Sequence, residues 1–151
     1  MGCRVNSPCP YGHSEKWTLI AAVSPVWVIH FRFEKTPGTK ITIFNNFMRA
    51  CNQVVATPRP TLRRTYLMDN LLSHKHPVVY NTVAQAGHRL LFRTPYCPWD
   101  GPIEYVFAQL ENELKNRMYR IRSERDLRQQ VQIILARLAP FDATFRHCGY
   151  L

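Results

Sequence analysis

The apolar residues of this chain change their repeat once, and that change limits the architectures open to it. Over residues 26–34 they alternate: Trp27, Ile29, Phe31 and Phe33 fall on one side, Val28, His30, Arg32 and Glu34 on the other. A period of two is the mark of a half-buried strand. Residues 16–23, with Trp17, Leu19, Ile20 and Val23, form a second apolar run, and Ser24-Pro25 separates the two as in an antiparallel hairpin. After the break "KTPG" (35–38), Phe44, Phe47, Met48, Cys51 and Val55 recur at steps of three and four, the stripe of an amphipathic helix. "TPRP" (57–60) ends it.

Beyond that point short strands and helices alternate. Residues 64–69 read as a strand with Tyr66, Leu67 and Met68 apolar; a helix starts near Pro77 and stops at Gly87; residues 88–92 form another strand. A rigid loop with Pro95 and Pro98 precedes a helix opened by Pro102, whose stripe is Ile103, Val106, Phe107, Leu110, Leu114 and Met118. Ser123 with Asp126 resembles a capping box, and Leu127, Val131, Ile134, Leu135 and Leu138 carry a last long helix. Residues 140–150 add a turn or two, and residues 1–14 read as an irregular N-terminus. Two antiparallel strands followed by alternating helix and strand predict an α/β fold, a mixed sheet flanked by helices, in one domain over residues 1–151. Sites in such sheets gather at the carboxyl ends of strands. Asp69 stands at such an end, and Glu104 stands in the first turn of the helix after the last strand.

The charge points to a partner. The formal net charge is +10 and the sequence pI about 9.8, which favours a polyanion, nucleic acid being the commonest. The five cysteines, Cys3, Cys9, Cys51, Cys97 and Cys148, form no Cys-x-x-Cys pair, so neither a zinc ribbon nor a disulfide framework is indicated. A reducing intracellular compartment follows as the default. The N-terminus has no signal-peptide core, and the longest apolar stretch, residues 19–31, is too short and interrupted to span a membrane.

Thirty-four residues lie between Asp69 and Glu104. With "MDNLLSHK" (68–75), "GHRLLFRTPYCP" (87–98) and "PIEYVFAQLENEL" (102–114) in that order, the chain resembles the catalytic domain of DDE transposases, the mariner-like superfamily and its bacterial insertion-sequence relatives. "HCGY" (147–150) looks like the C-terminal signature of some of these proteins. The resemblance spans roughly residues 12 to 150 and implies an RNase H-like fold and cut-and-paste DNA chemistry. In that chemistry, three carboxylates hold two divalent ions, Mg²⁺ or Mn²⁺. By matching position, Asp69 and Glu104 resemble the second and third catalytic and metal-binding acids, with Asn70 and His74 as supporting residues. Lys75, Arg89, Arg93, Lys115, Arg117 and Arg120 are the candidate phosphate contacts. The implied partner is DNA, transposon ends in particular, with room for a homodimer and no membrane. The implied compartment is the nucleus in a eukaryote or the cytoplasm in a bacterium.

Each residue also has an ordinary structural use. Asp69 can close a turn, Glu104 suits the positive end of a helix dipole, His74 and His76 suit a loop, Trp99 suits the core, and the basic residues suit a solvated face. Two departures from the family pattern matter. Gly101 stands where the family usually has asparagine before Pro-Ile-Glu, leaving Asp100 as the nearest candidate for a capping or metal-side role. The family's first catalytic aspartate lies on a strand ahead of the hairpin, and the only acids before Asp69 are Glu15 and Glu34. The expected fold therefore lacks that first strand, the two-metal site is incomplete, and strand cleavage by this chain alone is expected to be weak or nil. The alternative is a transposon-derived protein that binds nucleic acid without catalysis.

Overall fold

The computed structural model describes residues 3–6, 16–35, 39–56, 61–94 and 100–151, with the backbone alone at residues 3–6 and 16. The elements run β1 (Cys3–Asn6), β2 (Lys16–Val23), β3 (Val28–Glu34), α1 (Ile41–Ala56), β4 (Thr65–Met68), α2 (Pro77–Gln85) and β5 (Arg89–Phe92). There follow α3 (Pro102–Lys115), a 3₁₀ turn (Met118–Arg120), α4 (Glu124–Leu138) and α5 (Asp142–His147). Residues 3–6 depart from the irregular N-terminus expected: β1 pairs antiparallel with the first half of β2, Cys3 opposite Leu19 and Asn6 opposite Lys16. The rest of that N-terminus, the breaks at 36–38 and 57–60, and the loop 95–99 with Pro95, Pro98 and Trp99 lie outside the described residues.

β2 feeds both faces of the sheet, because successive side chains of a strand point in opposite directions. Trp17, Leu19, Ala21 and Val23 pack with α3, α4 and Phe141 on one face. Ile20 and Ala22 pack with Phe44, Phe47, Met48 and Cys51 of α1 on the other. The α1 stripe is buried as its spacing predicts, and so are Val106, Phe107, Leu110 and Leu114 of α3. Ser123 caps α4: its hydroxyl accepts from the Asp126 amide at 3.2 Å, and the Asp126 carboxylate accepts from the Arg122 amide at 3.1 Å.

The alternation in residues 26–34 does not survive intact. The pairing register shifts between Ala22 and Val23, as a bulge does when it adds a residue to one strand. Trp27 falls in the turn, 46% exposed, and Ile29 packs with the α1 cluster while Phe31 and Phe33 pack on the opposite face. Helices cover both sides, so the strand is not half-buried in the simple sense.

β4 and β5 pair in parallel, Thr65 opposite Arg89 and Met68 opposite Phe92, in a sheet of their own. Among the described residues no ladder joins this sheet to β1–β2–β3. Between them lies a cavity of about 560 Å³, lined by Ile20, Ala22, Tyr66 and Met68 and reaching Asp69 and His74. The outer edge of β2 past Leu19 and the free edge of β4 both border it. No described helix is long and apolar enough to cross a membrane.

Candidate active site and its internal cation

The carboxyl ends of β4 and β5 are held side by side. The Arg93 amide donates to the Met68 carbonyl at 2.8 Å, and the Asn70 side-chain amide donates to the Arg93 carbonyl at 2.6 Å. Asn70 is thus a clip between two strand ends. Asp69 emerges between these contacts. Its Oδ1 lies 2.5 Å from His74 Nδ1, and both side chains are largely buried. The His74 ring in turn stacks on Phe44, centroids 4.0 Å apart, so α1 fixes the imidazole that fixes the carboxylate. Burial works against ionisation of Asp69, but hydrogen bonds and nearby positive charge, His74 first among them, together hold its carboxyl below the usual carboxylate range.

His76 takes a different part. Its ring accepts from the Val78 amide at 3.3 Å as the N-cap of α2, so the His-x-His pair is split between two structural tasks.

Glu104 sits in the first turn of α3, its amide donating to the Gly101 carbonyl at 3.0 Å. Its carboxylate faces Arg93: Nη2 lies 3.3 Å from Glu104 Oε1, and Nη1 lies 3.6 Å from Asp100 Oδ1. The Arg93 side chain is only 9% exposed, so it is turned inward rather than presented as an open phosphate contact. Asp100 does not cap the helix; Gly101 is the N-cap and makes no side-chain cap bond. The glycine matters for its volume. A Cβ at position 101 would collide with the Arg93 guanidinium and sit 3.1 Å from Glu104 Cγ.

The C-terminal segment closes the same region. His147 Nε2 lies 3.2 Å from the Tyr105 hydroxyl. The thiol of Cys148 and the phenol of Tyr150 are both shifted upward, by burial first and then by the nearby Asp100 charge. The tail's motif was legible in sequence, but not its approach to Asp100. Its only available signal was its content of side chains that hydrogen-bond.

The family described as DDE superfamily endonuclease matches residues 2–128. The chain belongs to it. Its fold is RNase H-like, similar to the crystal structure of the catalytic domain of Mos1 mariner transposase at 18% identity and a TM-score of 0.75. That match covers 99% of this chain and 73% of the other. The Mos1 catalytic domain with raltegravir and Mg is similar at 18% identity and TM-score 0.74, over 98% of this chain and 75% of that one. The Mos1 paired-end complex with left transposon end matches at 18% identity and TM-score 0.71, over 94% of this chain and 42% of that one. A comparison with curated proteins gives no match.

Two divalent ions require clustered acids with oxygens to spare. The described residues do not offer them. Among the described residues no three His, Cys, Asp or Glu side chains gather as a metal-holding group. Asp69 is engaged by His74 and Glu104 by Arg93.

The other basic candidates lie outward. Lys75 stands over the Phe92 ring at 5.6 Å; Arg89, Lys115 and Arg120 are exposed; Arg117 is shared with Glu113 and Gln130.

Proposed function

We propose that the chain is the C-terminal part of a DDE transposase catalytic domain, ancestrally a metal-dependent DNA-cleaving and strand-transferring unit. In this form it acts chiefly through DNA binding. The observation that carries the reading is that Arg93, whose side chain pairs with Glu104, is bonded through its backbone to Met68 and Asn70, the two neighbours of Asp69, at the adjoining ends of β4 and β5. Family membership and the net charge of +10 support it. Exposed Lys75, Arg89, Lys115 and Arg120 would engage phosphates, which set affinity more than sequence choice. The nucleus of a eukaryote, or the cytoplasm of a bacterium, is the fitting compartment.

A second reading, a transposon-derived protein that binds nucleic acid without catalysis, draws on the pairing of Glu104 with Arg93. Fluorescence anisotropy with duplex DNA separates the outcomes. Affinity should fall steeply between about 50 and about 200 mM salt, and Asp69→Ala should leave it unchanged. Absence of salt-sensitive binding would sink both readings. Magnesium-dependent nicking that Glu104→Ala abolishes would show that the chain is catalytically complete, against both.

A further inference from the structure

We propose that Arg93 is the resident cation of the Asp100–Glu104 pair, filling at Glu104 the space and charge that a divalent ion needs, and that glycine at 101 admits it. Three observations converge. The guanidinium lies 3.6 Å from one carboxylate and 3.3 Å from the other, with only 9% of the side chain exposed. A buried guanidinium must be paired, because desolvating an unpaired charge is prohibitive. The place it occupies is the one that any side chain at 101 would fill.

Charge balance gives the consequence. Asp100 and Glu104 together carry two negative charges, and Arg93 offsets one of them. A divalent ion approaching Glu104 meets a fixed positive charge and a carboxylate already donated to. It must displace the guanidinium of a residue whose main chain is held by Met68 and Asn70. The structure thus couples the glycine at the helix entrance to the arginine at the end of β5. Neither residue accounts for the site without the other.

Mn²⁺ alone, titrated into the full chain and followed by electron paramagnetic resonance of the free ion, tests this. Arg93→Met keeps the apolar stem and removes the charge. It should bind Mn²⁺ at least about tenfold more tightly than the parent, the scale on which neighbouring groups tune metal affinity. Gly101→Ala provides a second route that leaves Arg93 in the chain: its Cβ pushes the guanidinium aside and should move affinity the same way. Glu104→Gln placed on Arg93→Met should remove the gain. Equal affinity in the parent and both variants overturns the proposal, as does a gain that survives Glu104→Gln. The proposal rests on reading Glu104 as a site acid. DNA binding by the parent chain, measured without metal, reports on the proposed function independently.

Discussion

Asp69 and His74 form a close buried contact, Oδ1 to Nδ1 at 2.5 Å, at the end of β4. A carboxyl whose folded pKa is depressed adds stability above its unfolded value, here 3.8, and loses it as pH falls through the folded value. Asp69→Asn should therefore cost roughly 1–3 kcal/mol near neutral pH. The gap between wild type and variant should narrow once the pH drops below about 4. Urea unfolding at several pH values measures it. A constant gap down to strong acid would show that Asp69 stabilises the fold by shape and not by charge.

Asn70→Ala removes the 2.6 Å bond that joins the ends of β4 and β5. The expected loss is about 1 kcal/mol of stability. Because the clip also fixes the backbone of Arg93, amide exchange at residues 92–93 should rise more than exchange in α4. Uniform loosening throughout the chain would contradict a local role.

A buried polar chain runs beneath β4. Tyr66 donates its hydroxyl to Asn52 Oδ1 at 3.0 Å, and the Asn52 amide donates to the Thr82 carbonyl at 3.2 Å. Tyr66→Phe leaves an amide oxygen unsatisfied in the core and should cost roughly 1–3 kcal/mol. Thermal melts of Tyr66→Phe, of Asn52→Leu and of the double variant test it, since removing both partners should cost less than the sum of the two single changes.

Lys115 and Arg120 sit exposed at the end of α3 and in the turn after it. If they meet phosphates, each alanine substitution should lower the slope of log K against log salt by roughly 0.9. Unchanged slopes would move the DNA-binding face elsewhere, Arg89 and Lys75 being the next candidates.

The helices of this chain were readable because their burial is one-sided. The stripe from Phe44 to Val55 has one buried edge, and so does that of α3 as far as Leu114; Met118 falls instead in the 3₁₀ turn. The β3 alternation misled because a register shift at Ala22 and Val23 moves Ile29 to the opposite layer, and a bulge leaves no mark in apolar spacing. Asp69 and His74 stand five apart and could be paired by eye. Arg93 and Glu104 could not: one ends a strand, the other opens a helix, and any basic residue nearby would have served as well in sequence. What singled out Arg93 was the missing side chain at 101, visible in sequence only as an odd glycine.

The interrupted ladder has a mechanical meaning. Ile20 of β2 touches the same apolar cluster as Tyr66 and Met68 of β4, but among the described residues no strand-to-strand hydrogen bond crosses between them. Among the described residues the two sheets therefore meet along a seam held by side chains alone. Cooperative opening should divide along it, with β2, β3 and the α3–α4 layer breathing as one unit and β4, β5 and α2 as another. A seam of this kind parts without unzipping any backbone ladder, so the acid at the end of β4 and the arginine at the end of β5 travel together when it opens.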